Sequence, residues 1–329
     1  MVKSDIHDVA RVAGVSISTV SRSFNHPDQV KPQTRKRIER AVKKTGYIRN
    51  RAAQAMHGKR SGTIGLVVPT IDHAIFAEAV DAEGFTILMA SHGFDLGREY
   101  AILRKFLEHR VDGIALIGLD HAEETFQLID QQGTPAISIW NYQAGARLPC
   151  VGADNIQAGA MAADHLLALG HRRIATVFPR TEGNDRARDR RDGAMAVLTA
   201  AGVQVPEHWQ SVAPYSIAEA KAVCAQILRA PVLPSAILCG NDVIAQGALY
   251  AAQMLGISVP GELSVVGIGD FKGSQEIEPA LTTIRIPARE IGRVAGERMV
   301  AMVASDGGSV ESHKCDLRLR QRASCRAVG

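Results

Sequence analysis

Apolar and polar positions near the start of the chain alternate with the period of short helices. Four apolar residues within positions 6–13 recur three or four residues apart, which predicts one short helix with an apolar face. Gly14 suits the positive φ of a tight turn, and Ser16 is a good N-cap for a second helix over about 17–24. We therefore predict a helix-turn-helix, with Ile17, Ser18, Ser21 and Arg22 facing outward.

A third helix is predicted over Pro32–Thr45, where proline opens the first turn and lysines fill the last. Gly46 suits the C-cap, whereas Lys31 is a poor N-cap. The three helices predict a small all-α headpiece.

From residue 63 onward the pattern changes to short apolar runs separated by amphipathic stretches. The runs occur twice in similar order, first over about 63–140 and again over 174–268. They are Ile64–Val68, Thr86–Ala90, Gly113–Ile117, Ala136–Trp140, Ile174–Phe178, Ala236–Cys239 and Ser264–Ile268. Buried parallel strands joined by helices predict a two-lobed, doubly wound α/β core with a ligand cleft beyond the carboxyl ends of its strands.

Charge changes this picture by separating the two parts. Residues 1–60 hold 14 lysines and arginines against 4 acidic residues, a net charge of +10, whereas the remainder holds 24 against 30, a net charge of −6. A basic head on an acidic body is typical of nucleic-acid binding confined to one end.

Composition excludes several other classes. The chain has no run of 18 apolar residues and no signal segment, so we expect a cytoplasmic protein without a membrane partner. Its five scattered cysteines form no C-x-x-C pair, which favours neither a zinc site nor a disulfide framework. We find no G-x-G-x-x-G or Walker-type loop and no arrangement of nucleophile, base and acid. The sequence therefore predicts no cofactor and no enzyme activity.

Several phrases now identify a resemblance. Six segments occur in this order along the chain: IHDVARVAGVSISTVSRSFN, GYIRNRAAQAM, GHRRIATVFP, NDVIAQGAL, LSVVGIGDF and LTTIRIP. Together they resemble the LacI/GalR family of bacterial transcription regulators over nearly the whole chain. The resemblance implies a headpiece over 1–48, a hinge helix and linker over 49–60, and an effector-binding, dimerising core over 61–329. It also implies two core lobes, one of residues 61–154 with 287–317 and one of residues 155–286 with 318–329.

The same resemblance implies the residues that meet double-stranded operator DNA. Bases would be read by Ile17, Ser18 and Arg22, and phosphates would be held by Thr19, Ser21 and Asn25. The hinge residues Asn50, Arg51 and Ala53 would lie in the minor groove, with Met56 where the family usually places a wedging leucine. The alternative for Met56 is packing within a linker.

The family resemblance also implies which residues of the core contact the effector. These positions are Phe76, Asn141, Asp154, Arg190, Tyr215, Asn241 and Asp270. The planar fork of Arg190 suits a carboxylate or a pair of sugar hydroxyls, so a sugar or sugar acid is the expected ligand. Asp242 is instead interpreted as a helix N-cap, and strand-end capping is the alternative role for Asp270. Core packing is the alternative for the two aromatic residues.

Four arginines, at positions 186, 188, 190 and 191, leave two interpretations open. They line an anionic effector site, or they form a solvated loop from which only Arg190 points inward.

The first core crossover, residues 69–85, is shorter than the family's usual helix at this place. It must return the length of a strand, about 17–20 Å, so we predict only a short helix near Ile75–Asp81. The family places a dimer contact there, which makes dimerisation and effector response sensitive to the shortening.

The sequence thus predicts a homodimeric regulator, acting as a repressor, that a small effector controls. The alternative is a small-molecule binding protein of the periplasmic type without a DNA function, which the core alone would permit.

Overall fold

The computed structural model describes residues 4–48, 60–70, 85–305 and 307–328. The chain divides into a unit over 1–61 and a unit over 62–329, and each is described by itself. The predicted hinge residues 50–56, Phe76 and the short helix near 75–81 lie outside the described residues.

The described residues of the first unit form three α-helices, as predicted: α1 (Ile6–Ala13), α2 (Ile17–Asn25) and α3 (Pro32–Thr45). Asp5 begins α1 with a reciprocal capping box, and Gly14 ends it in the left-handed conformation, with φ at 62°. Ser16 accepts a hydrogen bond from the Thr19 amide and so begins α2. Lys31 provides no side-chain cap for α3, as its chemistry predicts.

The headpiece core is small and apolar. Val9 and Val20 are fully buried with Ile38, so each helix contributes one central side chain. Phe24 and Tyr47 close the edge of this core, with ring centroids 6.3 Å apart. A packed face on each helix leaves the opposite face of α2 free for solvent or a ligand.

Two six-stranded sheets form the second unit, which confirms the predicted two-lobed α/β core. The first sheet has the order β2-β1-β3-β4-β5-β11, and the second has the order β7-β6-β8-β9-β10-β12. The strands are β1 (Thr63–Val68), β2 (Thr86–Ser91), β3 (Gly113–Ile117), β4 (Ala136–Asn141), β5 (Cys150–Ala153), β6 (Ile174–Phe178), β7 (Gln210–Val212), β8 (Ala236–Cys239), β9 (Ser264–Gly269), β10 (Thr282–Arg285), β11 (His313–Lys314) and β12 (Arg318–Arg320). All neighbours pair in parallel except β12, which runs antiparallel to β10.

Helices cover these sheets. They are α4 (Leu96–Glu108), α5 (Glu123–Gln132), α6 (Asn155–Ala168), α7 (Asp185–Ala200), α8 (Ile217–Ile227), α9 (Asp242–Leu255) and α10 (Ala288–Ala304). The helix α10 packs on β4 and β5 of the first sheet, whereas α6 packs on α7 and β9 of the second. The chain therefore crosses between the lobes three times, after β5, after β10 and after β11.

The short crossover after β1 still joins two correctly paired strands. Strand β1 pairs with β2 in parallel, from Thr63 opposite Thr86 to Val68 opposite Ser91. All five cysteines are free thiols, and four of them are buried. Burial raises the pKa of the Cys224 thiol to about 12, so this thiol serves as a small core residue.

Candidate DNA-binding face and interlobe cleft

The leading end of α2 presents small side chains to solvent. Ile17 is 40% exposed although it is apolar, and Ser18 beside it is exposed. The hydroxyl of Ser16 lies 2.8 Å from those of both Ser18 and Thr19. An exposed apolar residue beside a cluster of hydroxyls suits close approach to base edges and phosphates.

Arg22 follows one turn later on the same face and is exposed. Within the described headpiece residues, the ion pairs join Asp8 to Arg11 and Arg35 to Glu39, so Arg22 keeps its charge without a carboxylate partner. Ser21 is half-buried, and its hydroxyl accepts a hydrogen bond from Asn25 Nδ2 at 3.3 Å. The outward orientation predicted for Ile17, Ser18 and Arg22 is confirmed, whereas Ser21 is only partly outward.

A cleft of about 580 Å³ opens between the lobes of the core. Thr70, Gly93 and Phe94 line it from the first lobe. Asn184 and Tyr215 line it from the second, where Asn184 Nδ2 donates to the Tyr215 hydroxyl at 2.9 Å. The cleft lies beyond the carboxyl ends of the parallel strands, where ligands of this architecture bind.

Arg190 is buried deeper, on α7. Its Nε donates to Asn155 Oδ1 at 2.7 Å, and its Nη1 donates to the Gly240 carbonyl at 3.1 Å. Burial lowers the pKa of Arg190 to about 10, which leaves the guanidinium charged at neutral pH. Both of these acceptors are neutral, although the side chain is a cation.

Asn141 joins the lobes at the end of β4. Its Nδ2 donates to Asp185 Oδ2 and to Asp189 Oδ2, each at 2.8 Å. Its Oδ1 accepts from Asn155 Nδ2 at 3.0 Å and from the Tyr142 amide. The predicted effector residue Asn141 is therefore also a link in a polar network between the lobes.

The solvated-loop interpretation of the arginine cluster is wrong, because residues 186–191 form the first turns of helix α7. The anionic effector site stays a prediction. Arg186 is buried beside Arg190, donating to Asp185 Oδ1 at 2.6 Å and to the Ile117 carbonyl at 3.2 Å. Arg188 pairs with Asp120 at 2.5 Å. Asn184 is the N-cap that begins this helix, and the aspartates between the arginines balance most of the positive charge of its first turns.

Two aspartates of α7, Asp185 and Asp189, have pKa values shifted in opposite directions. Burial opposes ionisation of Asp185, but Arg186 and hydrogen bonds from Asn141 and the Leu119 amide hold its pKa below the ordinary value. Burial raises the pKa of Asp189, whose ion pair with Arg188 is longer, at 3.8 Å. Asp185 is thus the fixed anion of the network.

Asn241, rather than Asp242, is the N-cap of α9, so the prediction for Asp242 is wrong. Asn241 Oδ1 accepts from the Ile244 amide at 2.9 Å, while its buried Nδ2 has no hydrogen-bond partner among the described residues. Asp242 accepts instead from the Phe271 amide, the Ser274 hydroxyl and the Thr283 hydroxyl. Burial raises the pKa of Asp242, and this network fastens α9 to the second sheet.

The two other acidic candidates have structural partners. Asp154 begins α6 by accepting from the Gln157 amide at 2.9 Å, and it pairs with Lys314 at the same distance. Asp270, with φ at 58°, accepts from Arg322 Nη2 at 2.6 Å. Their role as effector contacts stays a prediction.

A buried pair in the first lobe, His121 and Glu99, was not predicted. His121 Nδ1 lies 2.9 Å from Glu99 Oε2, and its Nε2 lies 3.1 Å from the Gly118 carbonyl. Both side chains are essentially inaccessible to solvent. Glu99 lies in the first turn of α4, where an acidic residue is ordinary, so the sequence holds no signal for this pair.

A helix-turn-helix unit joined to a two-lobed core with a cleft between its lobes defines a class of protein, the ligand-responsive DNA-binding regulators. Residues 5–50 match the family described as bacterial regulatory proteins, lacI family, and residues 163–325 match a periplasmic binding protein-like domain. The chain belongs to the lacI family and is a DNA-binding transcription regulator.

Individual relatives support this family assignment. The chain is 30% identical over 307 residues to the HTH-type transcriptional regulator GntR of Pseudomonas aeruginosa, covering 91% of this chain and 89% of that protein. The lac repressor dimer bound to operator and the anti-inducer ONPF is similar at 25% identity with a TM-score of 0.84, covering 99% of this chain and all of that one. The complex of the transcriptional regulator CelR with cellobiose is similar at 27% identity with a TM-score of 0.69, covering 98% and 99%.

These relatives are transcription regulators rather than enzymes. No helix formed by the described residues has the length and apolar character needed to cross a bilayer.

Proposed function

We propose that this regulator is a homodimeric repressor whose affinity for operator DNA is set by a sugar acid bound between the core lobes. The observation that carries the proposal is the environment of Arg190. The neighbouring arginines 186 and 188 have carboxylate partners, whereas the described partners of Arg190 are two neutral oxygens. A buried cation with neutral partners favours an anionic ligand, because a carboxylate would supply the missing charge.

Neighbouring groups suit the rest of such a ligand. Asn241 Nδ2 has no hydrogen-bond partner in the part of the chain that the structure describes, so it can donate to a ligand hydroxyl. Asn241 directly follows Gly240, whose carbonyl accepts from Arg190. Tyr215 supplies an aromatic wall to the cleft. The relative bound to cellobiose supports a carbohydrate scaffold for the effector.

The ligand proposal is tested by matched pairs of aldoses and their aldonic or uronic acids. Isothermal titration of the full chain should show that an acid binds and that its parent aldose binds more weakly. Arg190→Gln should abolish this preference, and Arg190→Lys should keep part of it because the charge remains. Arg188→Gln is the matched control, since it removes one charge from the same helix. Equal binding of acids by wild type and Arg190→Gln would refute the sugar-acid site.

For the DNA function, we propose that the leading end of α2 enters the major groove. Two headpieces of a dimer would then read half-sites one helical turn apart, about 34–36 Å. The face of Ile17, Ser18 and Arg22 supports base readout, with Thr19, Ser21 and Asn25 near phosphates. From the family resemblance, we also propose that four hinge residues bind in the minor groove, namely Asn50, Arg51, Ala53 and Met56.

This interface is tested with a duplex that the protein itself selects from a random-sequence library. Arg22→Ala should weaken binding to that duplex by about 1–3 kcal/mol, roughly 5- to 150-fold, and should relax the base preference at one position. Arg35→Ala removes the same charge from α3, where Arg35 pairs with Glu39, and should leave the base preference unchanged. A small-molecule binding protein without a DNA function would select no sequence at all.

A further inference from the structure

Three side chains of the first lobe bring different metal-binding atoms together. Glu290 lies in the first turn of α10, His313 lies on β11, and Cys315 follows directly after that strand. Their ligand atoms all lie within 4.8 Å of one another, and His313 Nε2 is 3.9 Å from Glu290 Oε1. In the part of the chain that the structure describes, this is the one such group of three histidine, cysteine or carboxylate ligands.

We propose that Glu290, His313 and Cys315 bind a divalent transition-metal ion of the zinc type. Imidazole nitrogen, thiolate sulfur and carboxylate oxygen are the ligands that Zn²⁺ takes in proteins. A thiolate and an imidazole select against Mg²⁺ and Ca²⁺, which prefer oxygen alone. Ligands about 2.0–2.3 Å from a tetrahedral ion lie roughly 3.3–3.8 Å apart, so the side chains need only a small inward shift.

The local backbone fixes the positions of these ligands. The Cys315 amide donates to the Gly152 carbonyl at 2.8 Å, which holds the thiol-bearing residue beside the edge of the sheet. Because side chains alternate along an extended chain, His313 and Cys315 share one face and Lys314 takes the other. Lys314 accordingly pairs with Asp154 and not with Glu290.

Solvent access and charge also suit an ion. Cys315 is buried, whereas the side chains of Glu290 and His313 are 45% and 38% exposed, so an ion can enter from one side. Arg293, one turn along α10, donates to Glu297 at 2.6 Å and so has its own carboxylate. Three protein ligands leave a fourth position for water.

The site lies where the chain passes between the lobes. Glu290 follows the crossing after β10 by a few residues, and Cys315 precedes the crossing into β12. Lys314 and Asp154 join this region to the third crossing, after β5. An ion held by Glu290, His313 and Cys315 therefore connects two of the three chain segments that link the lobes.

The test uses the untagged full chain and Zn²⁺ alone, measured by competition with a chromophoric chelator. The wild type should bind one ion per chain at this site. Glu290→Gln and His313→Gln change partly exposed groups and should each weaken binding about tenfold or more. Even the loss of a residue that only hydrogen-bonds to a metal ligand lowers metal affinity by about 10–100-fold. Cys325→Ala and His208→Gln, which lie outside the group, should bind as the wild type does.

Cobalt provides a second readout that does not depend on stability. Co²⁺ bound to the wild type should show a sulfur-to-cobalt charge-transfer band in the near ultraviolet, and Cys315→Ala should lack it while Cys325→Ala keeps it. The proposal is overturned if a chain carrying Glu290→Gln, His313→Gln and Cys315→Ala binds Zn²⁺ with wild-type affinity and stoichiometry. It is equally overturned if the cobalt band persists without Cys315.

Discussion

The ring of Phe94 in the first lobe stacks on the ring of Tyr215 in the second, with centroids 5.8 Å apart and planes 8° from parallel. Phe94 adopts a left-handed backbone conformation, with φ at 62°. Its carbonyl oxygen would lie 2.9 Å from a Cβ atom on Gly183, so only glycine lets the two loops approach this closely. The stack therefore joins the two lobes at the mouth of the cleft.

Removing this stack should favour an open arrangement of the lobes. An aromatic pair contributes about 0.5–1.5 kcal/mol beyond its buried area, so Phe94→Ala should shift the closed-to-open ratio by about 2- to 12-fold. Small-angle scattering should show a larger radius of gyration, and the affinity for the effector should fall by a similar factor. Tyr215→Phe keeps the ring and loses only the hydroxyl that accepts from Asn184, so it should resemble the wild type in scattering. An identical expansion in Tyr215→Phe would show that the hydroxyl, and not the stack, joins the lobes.

The turn between α1 and α2 should be more sensitive to a side chain than the end of α3. Gly14 and Gly46 both have φ near +60°, where alanine costs about 1–2 kcal/mol. A Cβ on Gly14 would also lie 2.9 Å from Arg37 Nη2, which donates to the Ala13 and Gly14 carbonyls. Among the described residues, a Cβ on Gly46 meets no atom within 4 Å. Thermal unfolding should thus show a larger loss for Gly14→Ala than for Gly46→Ala, and equal losses would contradict the role of Arg37.

Buried histidines should make the core less stable in mild acid. Burial lowers the pKa of His92, His165 and His171 below the usual 6.5. The unfolded chain therefore binds protons first, so stability is complete above pH 6.5 and falls as the pH drops below it. His165 Nε2 also lacks a hydrogen-bond partner among the described residues.

His165→Leu removes both penalties and should stabilise the core. The difference in free energy of unfolding between His165→Leu and the wild type should increase from pH 7 to pH 5, by at most about 1.4 kcal/mol per pH unit. Denaturant unfolding at several pH values measures this difference, with the exposed His208→Gln as the control. A constant difference across this range would show that His165 does not titrate differently on unfolding.

Asp185 should also lose its stabilising contribution on acidification, but in stronger acid than the histidines. Its lowered pKa means that its stabilisation is present above the usual value of 3.8 and is lost as the pH falls through the folded value. Asp185→Asn leaves Arg186 buried without its carboxylate, which should cost about 3–5 kcal/mol at pH 7 and less near pH 3. Asp192→Asn, from an exposed pair with Arg191, should cost about 0–1 kcal/mol. Similar losses in both variants would contradict a structural role for the buried pair.

Local signals were sufficient for elements whose apolar pattern and caps agree. The helix Pro32–Thr45 has the predicted bounds, because proline, the apolar stripe and Gly46 all mark the same segment. The strands Gly113–Ile117 and Ile174–Phe178 also have the predicted bounds, since their continuous apolar runs are buried on both faces. The edge strands β11 and β12 were missed because polar residues fill them and their pairing depends on distant partners.

The site was less predictable than the fold because its chemistry depends on contacts between distant residues. Arg186 and Arg190 look alike in sequence, yet one meets Asp185 and the other meets Asn155 and Gly240. Asn241 and Asp242 are both suitable N-caps, and only the buried hydroxyls of Ser274 and Thr283 decide between them.

The order of the strands has a consequence for synthesis on the ribosome. Each core sheet takes an edge strand from residues 313–320, whereas the described helices of the first unit are complete by residue 45. Because chains emerge from the amino end and domains fold as they appear, a nascent or prematurely terminated chain has a finished headpiece long before either sheet is whole. Such fragments contain the whole helix-turn-helix but neither completed core sheet, so translation alone separates the unit that is finished early from the unit that is finished last.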